Sequence, residues 1–255
     1  MKRGLYRAEA VVLNSLDYSE SDRILTFYTL EHGKIRGIAK GARRSKKRFV
    51  GNLDPTSHIN LIFFHSEKSE LMRVEEAHLI DGFNNLKVDI DKLSQACYLI
   101  ELVSEMTREG QAAPQVLHLL VNFLKMLDDG GEDCLLRFFE IRLLAILGYL
   151  PHLSGCVTCR QPLSADSKAY FSSEKGGAVC KKCSFGAGSV IPISLGTAGF
   201  LSMAAKFDTA KLGRLKPNAV FLEESERILY DFIKHQIGKE LKTKKFLDKM
   251  RNASL

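Results

Sequence analysis

The sequence lacks the short motifs by which many nucleotide-hydrolysing and hydrolytic enzymes are identified. It has no GxxxxGK[ST] phosphate-binding loop, no HExxH zinc-protease pair and no GxSxG nucleophile turn. Its seven histidines are scattered along the chain. Because no constellation of catalytic side chains can be assembled from what is present, we predict that the protein is not an enzyme.

Long apolar runs are also missing. Residues 1–9 do not resemble a signal peptide, and no stretch reaches the roughly 20 apolar residues of a membrane span. We therefore expect a soluble cytoplasmic protein with reduced thiols. The formal net charge is +7, which favours an anionic partner. Cys97 and Cys134 lie among apolar residues at helical spacing and are expected to be small core residues.

The other four cysteines form the most specific motif of the chain. Cys156 and Cys159 are followed, after twenty residues, by Cys180 and Cys183, which gives the pattern C-x2-C-x20-C-x2-C. Two such pairs on tight turns can direct four sulfurs at one ion, so the spacing predicts one structural zinc. The metal would stabilise residues 153–189, a module with too few apolar residues for its own core. Redox-active pairs and disulfides are the alternatives, whereas four sulfur ligands leave no open position for catalytic zinc.

The first 80 residues contain short runs rich in β-forming residues, with turn residues between them. Five such runs predict strands: residues 7–12, 22–30, 34–40, 58–65 and 70–76. No helical pattern separates the runs. Five short strands of this kind predict a small barrel, and the OB-fold is the five-stranded barrel that binds oligonucleotides. We expect an OB-fold domain at residues 1–80.

A run of positive charge begins in the third predicted strand and continues through the following loop. Its eight basic residues, with no acid between them, are Lys34, Arg36, Lys40, Arg43, Arg44, Lys46, Lys47 and Arg48. A solvated loop that binds nothing is one interpretation. Concentrating like charge costs self-repulsion, however, and nucleic acid is the natural counter-charge. We predict that these residues contact DNA phosphates. Phe49, beside the loop, is the aromatic residue on which a base could stack, and a place in the barrel core is the alternative interpretation.

Beyond residue 80 the apolar residues recur at helical spacing. Helices are predicted from Asp91, from Pro114, over residues 132–147, from Ser194 and over residues 218–237, and a basic amphipathic tail follows. These helices define an α-helical domain at residues 81–152 and 190–255, into which the zinc module is inserted. The predicted fold class is therefore α+β and multi-domain.

The helix predicted over residues 132–147 is apolar except for its arginines. Arg137 and Arg142 are interpreted as surface residues with buried stems. Alternatively they rim, together with Phe139 and Leu143, an apolar groove that binds an acidic, hydrophobic peptide.

Three stretches of the chain, in this order, resemble the RecO family of bacterial DNA repair proteins. The first runs from Ala10 to Leu25 and continues through Gly33-Lys34 and residues 39–44; the second comprises residues 137–140 and 147–149; the third comprises residues 235–239 and 241–247. Thr243 stands where many relatives have serine, and not all relatives keep the four cysteines.

The resemblance implies a recombination mediator without hydrolytic activity. Such proteins bind single- and double-stranded DNA, anneal complementary strands and engage the C-terminal tail of the single-stranded DNA-binding protein. With RecR they help to load RecA onto coated DNA. The resemblance also implies a cytoplasmic, nucleoid-associated location and no membrane partner. A zinc-ribbon transcription or RNA-binding factor is the alternative reading of the cysteines and the charge.

Overall fold

The computed structural model describes residues 1–45, 47–49, 51–131, 134–163, 168–206, 212 and 217–253, and of residues 252 and 253 the backbone only. The chain forms two compact units. Residues 1–131 and 241–255 make up unit 1, and residues 132–240 make up unit 2. The division into an OB-fold domain, a helical domain and an inserted module stays a prediction.

Five strands form a closed barrel in unit 1. They are β1 (Gly4–Tyr18), β2 (Asp22–Thr29), β3 (Gly33–Ala39), β4 (His58–His65) and β5 (Met72–Asp81). Their order around the barrel is β1-β2-β3-β5-β4, and β1 pairs with β4 to close it. β3 and β5 run parallel, whereas the other four pairings are antiparallel. This arrangement confirms the predicted barrel and is consistent with an OB-fold.

Alternation along the strands fills the barrel. In β3, Ile35 and Ala39 are buried, whereas Arg36 is exposed on the opposite face. Other buried members of the barrel core are Ala8, Ala10, Val12, Leu25, Phe27, Ile59, Leu61, Phe63, Val74 and Ala77. Removing these side chains from water is the main stabilising contribution to the barrel.

Three helices follow the barrel: α1 (Asn84–Val88), α2 (Ile90–Met106) and α3 (Pro114–Asp128). α2 begins because the carboxylate of Asp89 accepts hydrogen bonds from the first backbone amides of the helix. α3 begins at Pro114, as predicted, because proline has no N–H that the first turn would leave unpaired. α2 packs against both α1 and α3.

Unit 2 combines helices with a small sheet. Its elements are α4 (Cys134–Ile146), β6 (Ala169–Ser172), β7 (Gly177–Cys180), α5 (Lys181–Ser184), β8 (Ile191–Ile193), α6 (Leu195–Ala204) and α7 (Ala219–Ile237). Ser194 caps α6, as predicted, and α7 occupies the predicted range with Asn218 as its cap. The first two residues of the helix predicted at 132–147 lie outside the described residues. Within the described part of the chain, no helix has the length and apolar character needed to cross a membrane.

The last helix, α8 (Lys242–Ala253), belongs to unit 1 and packs on α2. The carboxylate of Glu101 on α2 accepts the N–H groups of Lys242, at 3.0 Å, and Thr243, at 2.8 Å. The hydroxyl of Thr243 donates to the same carboxylate. Leu241 and Leu247 are buried. A side chain from another helix therefore caps the N-terminus of α8, where a negative charge is favoured.

One expectation about α4 is wrong. Arg137 is buried and not a surface residue: its Nη2 lies 2.9 Å from Oε1 of Glu140, which is itself fully buried. The ion pair one turn along the helix offsets the cost of removing the guanidinium from water. Arg142 is half-buried, as its long stem led us to expect.

Candidate nucleic-acid interface and metal centre

The basic loop after β3 is anchored to the turn between β1 and β2. The Gly41 N–H donates to Oδ1 of Asp22 at 2.8 Å, and the Arg43 N–H donates to the carbonyl of Ser21 at 3.0 Å. The hydrogen bond from Gly41, followed by one from the Ser21 hydroxyl and by the charge of Lys40, holds the pKa of Asp22 below its ordinary value of 3.8. The start of the loop is thus fixed against the barrel.

Most of the predicted DNA-binding residues are exposed around this anchor. The exposed ones are Arg36, Lys40, Arg43, Arg44, Lys47 and Arg48, whereas Lys46 lies outside the described residues. Arg43 reaches Asp17 only at 3.7 Å and Arg44 reaches Glu20 only at 3.5 Å. Exposed pairs of this kind contribute about 0–1 kcal/mol. Both guanidinium groups can therefore turn to an anionic ligand at little cost.

Arg48 closes the base of the loop. Its Nη2 donates to the carbonyl of Lys40 at 2.9 Å, and its guanidinium lies 4.8 Å from the centre of the Phe49 ring. The contact with the ring is a cation–π interaction. Arg48 thus has a structural role besides its charge.

Lys34 is placed differently from the other basic residues. Its Nζ donates to the carbonyls of Ser104, at 2.5 Å, and Thr107, at 2.6 Å. These carbonyls belong to the end of α2, where a cation offsets the partial negative charge of the helix C-terminus. Lys34 therefore fixes β3 to α2, and its ammonium is held by these carbonyls on the side of the barrel that faces α2.

The interpretation of Phe49 as a base-stacking residue is wrong. Phe49 is only 4% exposed and belongs to the barrel core, because the segment between β3 and β4 turns it inward. Tyr18, at the end of β1, is instead 54% exposed. It is paired in register with Asp22, the residue that anchors the basic loop. The sequence signal for Tyr18 is its place directly before the polar residues 19–21, which separate two β-rich runs.

The four cysteines of the predicted zinc site converge in unit 2. The sulfurs of Cys156, Cys159, Cys180 and Cys183 all lie within 4.8 Å of one another. The Cys159 and Cys180 sulfurs are 3.9 Å apart. Cys180 ends the hairpin of β6 and β7, and Cys183 follows in α5. The first pair is joined to this hairpin by the Val157 N–H, which donates to the Ala178 carbonyl at 2.8 Å.

The pKa values of two of the four thiols, Cys156 and Cys183, shift in opposite directions. Burial alone would raise the pKa of Cys156, but hydrogen bonds from the backbone amides of Cys159, Cys180 and Thr158 outweigh it and lower the pKa to about 6. A hydrogen bond with the Cys180 thiol, together with burial, raises the pKa of Cys183 to about 12. Four thiols this close cannot all ionise by themselves. A divalent cation removes that conflict, so the donor set fits a metal ion of the kind that thiolates bind.

The residues predicted for a peptide groove lie on α4. Phe139 and Leu143 are fully buried, Arg137 forms the buried pair described above, and Arg142 alone of the four is partly exposed. The structure therefore shows no open groove formed by these four side chains.

Comparison with known proteins covers both ends of the chain. The model of the recombination protein O N-terminal family matches residues 1–83, and the C-terminal family model matches residues 87–245. The chain belongs to the RecO family. It is 37% identical over 256 residues to DNA repair protein RecO of Syntrophus aciditrophicus, with 99% of each chain covered. The corresponding protein of Pelotomaculum thermopropionicum is 32% identical over 249 residues, which is 98% of this chain and 96% of the relative.

The segments that resemble the RecO family have identifiable structural tasks. Gly33 has a positive φ of 63°, and a Cβ there would lie 2.1 Å from the Gln111 carbonyl oxygen, so only glycine fits. Lys34 then caps α2, and Gly41 binds Asp22. At the other end, the hydroxyl of Thr243 bonds Glu101. A serine there would keep the same donor.

Proposed function

We propose that this RecO family member is a DNA repair and recombination mediator that binds single- and double-stranded DNA through the basic end of its barrel. The observation that carries the proposal is the group of exposed cations around the Gly41–Asp22 anchor: Arg36, Lys40, Arg43, Arg44, Lys47 and Arg48. Their charges are presented together by a rigid barrel. Contacts from such side chains to phosphates are insensitive to base sequence, as repair of arbitrary DNA requires.

Strand annealing follows from the same charges. Two DNA strands repel each other, and a protein that binds both lowers the repulsion and raises their effective concentration. The reaction then needs no ATP, in keeping with a chain that has no phosphate-binding loop motif. The protein acts in this proposal as a mediator and not as a catalyst of bond cleavage.

The four-cysteine group holds one structural zinc in this proposal. A tetrahedral zinc with Zn–S bonds of about 2.3 Å places its sulfurs about 3.8 Å apart. The observed separation of 3.9 Å between the Cys159 and Cys180 sulfurs lies close to that value. Because all four ligands come from the protein, the ion would stabilise the fold of the module and carry out no chemistry.

The partner proteins are those that the family implies. The C-terminal tail of the single-stranded DNA-binding protein would dock on unit 2, and RecR would assist in loading RecA. Arg142 is the residue on α4 best placed to meet a carboxylate, since it is partly exposed. Phe139 and Leu143 could contribute only if a local rearrangement uncovers them. We expect Arg142→Glu to weaken binding of the tail peptide and to leave DNA affinity intact; equal loss of both would place the site elsewhere.

The test of DNA binding uses the salt dependence of affinity. Each phosphate contact contributes a slope of roughly −0.7 in log affinity against log salt on single strands. Substituting Arg43, Arg44 and Lys47 by glutamine should therefore flatten the slope by about two units. The matched control replaces Lys87, Arg108 and Lys125, three exposed cations of the same unit outside the loop, by glutamine. An equal change in both variants would indicate a general charge effect, and no change in either would refute this DNA path. Tighter binding to RNA than to DNA of the same sequence would favour the RNA-binding alternative.

A further inference from the structure

The outward face of the barrel carries an apolar row where solvated sheets ordinarily have polar side chains. Leu16 on β1 pairs in register with Ile24 on β2, which pairs with Ile38 on β3. Leu16 is 57% exposed, and Ile24 and Ile38 are partly exposed. An antiparallel sheet with one face in water normally alternates apolar-in with polar-out. Here three apolar side chains adjoin one another on the outward face, and contiguous exposed apolar surface is typical of an interaction site.

Tyr18 extends this row towards the basic loop. It follows Leu16 on the same outward side of β1 and pairs with Asp22, whose carboxylate binds the Gly41 N–H at the start of the loop. We call Leu16, Tyr18, Ile24 and Ile38 the apolar stripe. It is continuous over three strands, and its aromatic end lies beside the concentrated positive charge.

Two exposed cations lie on either side of Ile38 along β3. Along β3 the outward positions alternate with the buried ones, so Arg36 and Lys40 precede and follow Ile38 on the same side of the strand. The acids nearby are largely committed. Asp17 accepts from Arg23 at 3.1 Å and Asp22 accepts from the Gly41 N–H at 2.8 Å, so both carboxylates keep a partner when Arg43 and Arg44 turn to DNA. The surroundings of the stripe therefore favour a polyanion over an acid-balanced protein surface.

The stripe is confined to the end of the sheet near the loop. At the opposite end of β2 the side chain of Tyr28 is fully buried, and its hydroxyl donates to the Ala113 carbonyl at 3.2 Å. At the same end of β3, Lys34 is bound to the end of α2. The open apolar surface thus coincides with the open cationic surface.

From this coincidence we infer that the apolar stripe binds the bases of an unpaired DNA strand while Arg36 and Lys40 hold its phosphates. The inference rests on the proposed function and adds a selectivity to it. Bases of a single strand can turn onto an aromatic or apolar surface, whereas bases in a duplex are stacked and paired. The stripe then favours single strands, and the loop cations serve both kinds of DNA.

The experiment compares affinities for one mixed-sequence oligonucleotide and for its duplex at a fixed salt concentration. Tyr18→Ala should weaken single-strand binding about ten-fold, because stacking on an aromatic side chain contributes about 1–3 kcal/mol per base. Duplex affinity should change less than about two-fold, and the salt slope should stay as in the parent protein. Ile38→Thr, which keeps a β-branched residue in the strand, should act in the same direction with a smaller effect.

Two control variants separate stacking from general effects. Tyr18→Phe keeps the ring and should retain single-strand affinity. Leu79→Ala removes an apolar side chain that is 48% exposed on β5, outside the stripe, and should alter neither affinity. Cross-linking of a bromouracil-containing strand to residue 18 is the direct readout of the contact.

The outcomes distinguish the two proposals. If the loop variant flattens the salt slope but Tyr18→Ala and Ile38→Thr leave the ratio of single-strand to duplex affinity unchanged, the stripe inference is overturned and the proposed function stands. Equal losses on single strands and duplexes would also overturn it. If the loop variant leaves the slope unchanged, the proposed DNA path itself fails, whatever Tyr18 does.

Discussion

The barrel and the cysteine module are stabilised in different ways. In the barrel a large set of apolar side chains, including Leu25, Phe27 and Phe63, is removed from water. The cluster around the four sulfurs has only three buried members, Cys156, Val179 and Ala187, among the described residues. The comparison indicates that hydrophobic burial suffices for the barrel, whereas the module requires a further source of free energy. Four converging sulfurs supply one if they bind a metal.

The same contrast separates the tasks of the two regions. The proposed DNA surface stands on a barrel whose order is independent of any ion. Loss of metal should therefore damage the module first and the barrel little.

The largest effect is expected from removing the metal ligands. Cys156→Ser, or treatment with a strong chelator, should release one zinc per chain and lower the melting temperature of unit 2, because the ion's binding free energy stabilises the module. Metal analysis combined with hydrogen exchange would measure this, and exchange in the barrel strands should stay slow. The separation fails if the purified protein contains no zinc, or if the barrel opens together with the module.

The next largest effect concerns Phe49. Truncating it to alanine should reduce the free energy of unfolding of unit 1 by about 3–5 kcal/mol, as for other buried phenylalanines. Denaturant unfolding measures the loss. Tyr18→Ala, an exposed position, is the matched control and should cost about 0.5 kcal/mol or less. A stable Phe49→Ala variant with selectively reduced affinity for single strands would restore the original stacking assignment.

A moderate effect is expected from removing the cap at the N-terminus of α8. Glu101→Ala removes the carboxylate that accepts the amides of Lys242 and Thr243, which should cost about 1–2 kcal/mol, similar to other N-cap losses. Protection of the α8 amides from hydrogen exchange should fall, while metal content stays at one ion per chain. Unchanged protection would show that burial of Leu241 and Leu247 holds α8 without the cap.

The smallest effect is a pH dependence of the loop anchor. Since the pKa of Asp22 is lowered in the folded chain, its contribution is complete above the ordinary value of 3.8 and is lost as the pH falls through the lowered pKa. The amide resonance of Gly41 should shift over that acidic range and stay constant at neutral pH. In Asp22→Asn the shift should be absent. A shift near neutral pH would assign the titration to another group.

Patterns local in the chain were sufficient to predict most of the fold. Runs of β-forming residues between turn residues located the five strands, the capping residue Ser194 marked the start of one helix, and apolar spacing located the helix that begins after Asn218. The cysteine spacing also predicted the convergence of the sulfurs. Each of these features depends on residues close in sequence, or on a ligand set with a fixed spacing.

The errors arose where the decisive partner was distant or depended on three-dimensional direction. Lys34 belongs to the basic run, yet its ammonium binds carbonyls some seventy residues further along the chain. The burial of Arg137 depends on a carboxylate that is itself removed from water. The orientations of Phe49 and Tyr18 depend on how the chain enters and leaves strands. Residue type alone assigns none of these directions.

The return of α8 to unit 1 sets an order of events during synthesis. Residues 132–240 are synthesised before Lys242, so unit 2 has all its residues while α2 still lacks the helix that Glu101 caps. At roughly 5–20 residues per second, that delay is on the order of ten seconds. During this interval the surface of α2 that later packs against α8 stays open to solvent and to chaperones. All residues of the barrel are synthesised early, but unit 1, which contains the barrel, is completed last.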